Sequence, residues 1–329
     1  MLQYMCKRLL RSLVTLLIIV VVIFSLLRLM PEEGYFDNYD KLTPSEIENK
    51  LTLMGLRDPL PKQLFKFMGG LLRGDLGVSN RYRRNAAITD ILGPKIIVSL
   101  KFGLSAVAIS LPLGMLLGIF MSRKKGGAWD KFGNLFIVFI QAVPSAVYYL
   151  FIQLYGTRAI GASMLYNEKN VLTMVMPVLS LALPSIANYA MWLRRYMVDE
   201  SNKDYIKLAK AKGVPNAMIW LRHVFRNSVT PMVNLIPGSV LMTISGSIYV
   251  ESLYSIPGMG GLLVDVIKRQ DNTMVQALVI IYSVIGILGL ILGDMLMALV
   301  DPRISFVKKE GSRSVSYTHL RAHETCADL

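Results

Sequence analysis

The sequence predicts an all-α protein that crosses a membrane about six times, and three observations carry that prediction. Hydrophobic residues make up 53% of the chain and charged residues only 18%, against roughly a quarter charged in soluble domains. The apolar residues gather in blocks such as Leu13–Leu27 and Leu278–Leu292, which hold no charge. The basic residues gather in short segments between the blocks, as they do in cytoplasmic membrane loops. A ~30 Å hydrocarbon layer takes about 20 helical residues, which these blocks supply.

The first span is expected at Ser12–Leu29, after Lys7, Arg8 and Arg11, within an N-terminal unit of residues 1–30. A signal peptide has a shorter apolar stretch and a small-residue cleavage site, so this helix is expected to be retained. Residues 31–94 form an external segment too long for a simple connection. It holds an amphipathic helix at Lys62–Leu72, with Leu64, Phe67, Met68, Leu71 and Leu72 at helical spacing. The membrane body, 95–306, is expected to span at Ile96–Phe120, Phe132–Tyr155, Val171–Leu193, Pro231–Val250 and Met274–Val300. A loop at 194–230 separates the fourth span from the fifth.

Sidedness follows from Lys and Arg. Lys7, Arg8 and Arg11 precede the first span; Arg123, Lys124, Lys125 and Lys131 join the second to the third. The 194–230 loop adds Arg194, Arg195, Lys203, Lys207, Lys210, Lys212, Arg222 and Arg226. Segments 156–170 and 251–273 carry few. Both termini are therefore expected in the cytoplasm. The net charge of +14 is explained by these loops rather than by nucleic-acid binding. Prolines 112, 144, 177, 184 and 237 fall within spans, where neighbouring helices or a water-filled cavity satisfy the freed backbone groups. Gly114 with Gly118, and Gly286 with Gly289 and Gly293, permit close helix approach.

The sequence holds no chemistry of its own that these patterns reveal. A Gly-Lys dipeptide, needed for a phosphate-binding loop, occurs nowhere. Only His223 precedes residue 319 among the histidines, which leaves no histidine metal cluster in the membrane; no HExxH or GxSxG pattern occurs. Cys6 and Cys326 lie at opposite ends and form no disulfide framework. Asp294 is the clearest ionisable candidate deep in a span, expected to face protein or to reach the interface. No cofactor is expected.

Between the fourth and fifth spans the chain reads Asp204-Tyr205-Ile206-Lys207-Leu208-Ala209-Lys210-Ala211-Lys212-Gly213. Asp204 is expected to cap a short helix that Gly213 ends, and Pro215 to open a second one. That second helix carries Arg222, His223, Arg226 and Asn227 before Pro231. This stretch resembles the coupling loop of permeases in the dipeptide and oligopeptide importer family, which reads D-Y-[IV]-x-x-A-[RK]-A-K-G and then R-H-x-x-[RK]-N-x-x-x-P. The broader superfamily has Glu-Ala-Ala where this chain has Lys207-Leu208-Ala209, a departure that fits the peptide branch. Two external stretches resemble the same family. One is Gly74-Asp75-Leu76-Gly77-Val78-Ser79, and the other runs from Glu251 through Pro257, Gly258 and Gly260. Asp301-Pro302-Arg303-Ile304 resembles the usual end of such permeases. The stretch 307–329 lies beyond it and reads as non-native, with a short cytoplasmic tail as the alternative.

The resemblance implies a non-catalytic permease in a bacterial inner or plasma membrane. Its implied partners are a second homologous permease subunit, two cytoplasmic ATPase subunits docked on the coupling loops, and an external substrate-binding protein. Peptides are the implied cargo, with nickel complexes, glutathione or oligosaccharides as alternatives. An ion-coupled carrier or membrane enzyme is the rival class, and it would place several ionisable groups in its spans.

Overall fold

The computed structural model describes residues 2–36, 39–244 and 247–300. The Asp301-Pro302-Arg303-Ile304 ending and the stretch 307–329 lie outside the described residues. Among the described residues, regular structure is helical apart from one antiparallel pair of two-residue strands, Val78–Ser79 against Ala86–Ala87. Among the described residues, five helices are long and apolar enough to cross a membrane, and six when a bent pair is taken as one.

The first helix, Leu2–Arg28, turns Leu9, Leu10, Leu13, Leu17 and Leu26 outward. An outward apolar stripe of this kind is solvated by lipid, whereas buried Val20, Phe24 and Leu27 face protein. Outside the span, Thr43 and Glu46 close a capping box on helix Pro44–Leu53. The amphipathic helix runs Leu60–Leu72, and its Phe67 ring packs 5.4 Å from Phe24. The segment 31–94 therefore rests on the end of the first span.

The second span begins earlier than the apolar run announces, at Ile88, and continues to Arg123. It lies against Leu172–Ser201, and its glycines set the distance. A Cβ on Gly114 would stand 2.8 Å from that of Tyr189, and one on Gly118 2.9 Å from the Ala190 carbonyl oxygen. The last helix, Asn272–Val300, approaches Arg226–Ile244 in the same way, with Gly289 against Gly238. Here dispersion between closely seated backbones does the work that water exclusion does in soluble cores.

Three expectations need correction. The third span is not one straight helix over Phe132–Tyr155: Ala128–Ala142 and Ser145–Ala159 meet at 108°. Pro144 has no N–H to continue the ladder and drives Val143 out of the helical region, to φ −84° and ψ 130°. The expected fifth span, Pro231–Val250, lies within a longer apolar span, Asn216–Leu253, that begins earlier than expected. Helical turns run unbroken from Asn216 through Ile219–Phe225 into Arg226–Ile244, so Pro231 sits inside the helix and the second coupling helix is an extension of the span. Finally, Asp204 is no cap. Lys203 occupies that position without a side-chain bond, while Asp204 is the first helical residue and pairs with Lys207 at 2.8 Å.

Pro112, Pro177, Pro184 and Pro237 stay within continuous helices. Asp294 is buried and paired with Arg8 of the first helix, so it faces protein.

Candidate functional site

The residues singled out in the sequence fall into three places. On one side of the bundle lies the helix Asp204–Ala211. It packs through Ile206, which is buried with Leu193, Met197, Ile219 and Val224. Its end is fixed by hydrogen bonds from the Gly213 N–H to the Lys210 carbonyl at 3.0 Å and from the Val214 N–H to the Ala209 carbonyl at 3.2 Å. That pair of bonds is a Schellman closure, and it requires a left-handed residue between them. Gly213 supplies it at φ +74°. Nothing lies within 4 Å of where its Cβ would be, so the need for glycine there is conformational, not steric.

Three of the sequence-derived residues converge beside this helix. Asn227 donates to the Tyr205 hydroxyl at 2.8 Å and to Glu200 Oε1 at 3.1 Å. The Tyr205 hydroxyl in turn donates to Glu200. His223 stands edge-on to the Tyr205 ring, 6.3 Å between centroids. Glu200 ends the fourth span, so the knot ties two spans to the short helix. Partial burial, and then the Glu200 carboxylate, raise the Tyr205 phenol above its usual range. Lys210, Ala211, Lys212, Arg222 and Arg226 are exposed and Ala209 is half-buried. Leu208, Met218 and Leu221 are also exposed, Leu221 to 71%. Glu200 was missed in the sequence because nothing in a helix-ending acid announces a partner 27 residues later.

The second place is the Gly74–Ser79 turn. Gly74 and Gly77 have φ of +77° and +86°, and the Gly77 N–H bonds the Asp75 carboxylate at 2.8 Å. Ser79 is fully buried and donates to Asp271 Oδ2 at 2.6 Å. The same oxygen accepts the backbone N–H groups of Asn80, Arg81 and Tyr82 at 3.0 to 3.1 Å. The other oxygen, Oδ1, takes the Met274 N–H at 3.2 Å, capping the last helix. Asp271 was not singled out, although Asp-Asn-Thr ahead of a long apolar run is a readable capping signal.

The third place surrounds Glu251, which is buried in the short helix Ile248–Leu253. Its carboxylate accepts from Ser99 Oγ at 2.7 Å and from the N–H groups of Gly260 and Gly261 at 2.7 and 3.1 Å. Ser99 Oγ itself accepts the Met259 N–H at 2.8 Å. The acid thus sits on the positive end of helix Met259–Lys268. Gly258 leaves no room for a Cβ against the Glu251 carboxylate, and a Cβ on Gly260 would come within 2.8 Å of the Ile248 nitrogen. Pro257 precedes this helix, whose far end leads through Arg269 to Asp271. The Gly74–Ser79 turn and the Glu251–Gly260 stretch therefore do not meet; Glu251 holds one end of a ten-residue helix and Ser79 bonds Asp271 just beyond the other.

These features can be set beside known proteins. The model of the binding-protein-dependent transport system inner membrane component matches residues 114–306, and the model of the N-terminal part of that membrane component matches residues 1–82. The chain is 33% identical over 305 residues to the dipeptide transport system permease protein of Lactococcus lactis subsp. cremoris, covering 92% of this chain and 99% of the relative. It is 30% identical over 311 residues to the oligopeptide transport system permease protein of Haemophilus influenzae, covering 93% and 100%. The glutathione transport system permease protein of Pectobacterium atrosepticum is 30% identical over 308 residues, covering 93% and 100%. Among solved structures, an amino acid ABC transporter chain is alike in fold at a TM-score of 0.50 and 17% identity, over 72% of this chain and 98% of that one. The chain belongs to the family of binding-protein-dependent transport system inner membrane components.

Proposed function

We propose that this chain is the permease subunit of an ATP-binding-cassette importer that moves peptides into the cytoplasm. It pairs with a second, related permease subunit. Two cytoplasmic ATPase subunits dock on the coupling loops, and an external binding protein delivers the cargo. ATP hydrolysis is the partners' chemistry, and this chain transmits their closure. The N-terminus and the 194–230 loop lie on the cytoplasmic side; residues 31–94 lie outside.

The observation that carries this reading is the exposed apolar side chains along the 194–230 loop. Leu208, Met218 and Leu221 are exposed among Lys207, Lys210, Lys212 and Arg222. Exposed apolar side chains interspersed with that much charge are not lipid-facing, and they fit a protein partner. Leu208 lies on the helix Asp204–Ala211, which is tied to the fourth and fifth spans through Tyr205, Glu200 and Asn227, and Met218 and Leu221 lie on the extension of the fifth span itself, so a push on them reaches the bundle as a rigid-body displacement. Peptide cargo is carried over from the relatives' names, and the same machinery serves other solutes in one of them.

Copurification tests the reading. The tagged chain should bring down ATPase subunits, and Leu208→Asp with Leu221→Asp should release them while the chain remains in the membrane. Retention of the ATPase by that double variant sinks the coupling-loop assignment. Uptake of labelled dipeptides and oligopeptides against glutathione identifies the cargo.

A further inference from the structure

A cavity of about 360 Å³ lies between the end of the first span, the helix Leu60–Leu72 and the Gly74–Gly77 turn. It takes no part in the coupling scheme. Arg28, Gln63, Lys66, Asp75 and Gln276 are among its lining residues. Three of them hold buried atoms without a partner: Arg28 Nε, Gln63 Oε1 and Gln276 Nε2. Gln63 and Gln276 are only 8% and 9% exposed. The Gln63 amide cannot simply flip, because its Nε2 donates to the carbonyls of Leu56 and Asp58 at 2.9 and 2.7 Å. Its oxygen is thereby left without a donor. The Arg28 guanidinium is held over the rings of Phe24 and Tyr35, at 4.7 and 5.2 Å from their centroids.

Buried polar atoms are normally satisfied, and three orphans lining one cavity point to an occupant. Water would serve the amides. It would leave two cations, Arg28 and Lys66, facing the single carboxylate of Asp75. An occupant with an anionic group to accept from Arg28 and Gln276, and a donor for Gln63 and Asp75, matches the lining fully. The position narrows the choice. Arg28 ends the first span, and Leu29 beside it is 83% exposed. Phe65 and Leu72 of the amphipathic helix are 78% and 84% exposed. Large apolar side chains next to a span end belong at the boundary between headgroups and acyl chains.

We propose that this cavity binds the headgroup of a membrane phospholipid bearing both a phosphodiester and a primary amine. The phosphate faces Arg28, Lys66 and Gln276 Nε2, and the ammonium faces Gln63 Oε1 and Asp75. The acyl chains leave past Leu29, Met54 and Phe65. Bound lipid would fix the external segment to the first span.

Native mass spectrometry of the intact transporter, delipidated and titrated with dimyristoyl phosphatidylethanolamine, tests this. Wild type should retain one lipid, and Arg28→Gln or Gln276→Leu should each weaken retention about tenfold, as expected for one lost hydrogen bond to a charged group. Gln276→Leu keeps the side-chain volume, so it decides the matter if Arg28→Gln fails to assemble. Inorganic phosphate should neither bind in that range nor displace the lipid, and phosphatidylglycerol, which lacks the amine, should bind more weakly. Equal retention by wild type and Gln276→Leu overturns the proposal. So does saturation by inorganic phosphate, or phosphatidylglycerol bound as tightly as phosphatidylethanolamine.

Discussion

The Asn227 side-chain amide donates to the Tyr205 hydroxyl across 2.8 Å, joining the coupling helix to the start of the fifth span. Both also hold Glu200 at the end of the fourth span. A short helix of eight residues has little stability of its own. It is positioned by this knot and by buried Ile206, so under the proposed function the knot is the place where coupling would be lost without losing the fold.

Tyr205→Phe and Asn227→Leu should therefore leave the amount of protein in the membrane near normal. ATP hydrolysis stimulated by loaded binding protein should fall severalfold in both. The pH dependence has a definite sign. The phenol is raised in the folded state, so its contribution is complete below about pH 10 and is lost only as pH rises through the raised value. A coupling ratio that changes between about pH 6 and 9 through Tyr205 contradicts this assignment.

At Gly213 the cost of substitution is backbone strain alone. Gly213→Val should lose coupling, at about 1 kcal/mol or more for the turn, while Gly213→Asn, which tolerates the left-handed region, should keep most of it. Gly74→Val, at φ +77° in equally open space within the 31–94 segment, should leave ATPase docking unchanged. Wild-type uptake and coupling in Gly213→Val would show the loop to be an ordinary basic connection.

Gly258→Ala should destabilise by a steric route, about 1–3 kcal/mol, because its methyl meets the Glu251 carboxylate. Removing that carboxylate as well should make the double variant less unstable than the sum of the singles. Melting temperatures of the detergent-purified protein give the comparison, and strict additivity would break the link.

Asp271→Ala strips the acceptor from Ser79 and from three consecutive backbone N–H groups. The 79–82 stretch should become the first site cut by limited proteolysis. Ser79→Ala removes one bond of the set and should be milder. Equal protease resistance in wild type and Asp271→Ala would count against the clamp.

Sidedness is checked by cysteine labelling after replacing Cys6 and Cys326 with serine. Exposed Arg73 and Glu168, changed to cysteine, should react from outside intact cells, and Lys125 and Lys212 should not. Ser79 is unsuitable because it is buried.

Spans and glycine contacts were legible because they depend on composition and on small residues at fixed spacing. Gly114 and Gly118 are where the second and fourth spans touch. Gly213 was legible because a left-handed helix ending leaves a local signature. The 108° corner was half legible: Pro144 was visible, but proline inside Pro112 or Pro177 helices leaves them continuous, and only tertiary packing separates the two outcomes. Glu200, Ser99 and Asp271 were not legible as partners. Each bonds a residue 27, 152 or 192 positions away, and no periodicity encodes such a pairing.

Helix Met259–Lys268 is clamped at one end by Glu251 and followed at the other by Asp271, with its interior side chains buried. A rod held at both ends cannot absorb motion by bending. Tilting of the fifth span's end would swing it as a lever about its own length, ~15 Å for ten residues. The Ser79 turn, gripped through Asp271, must then follow. Any tilt of the fifth span's end and any rearrangement of the 31–94 segment would then be a single mechanical event, with stroke set by the length of this lever.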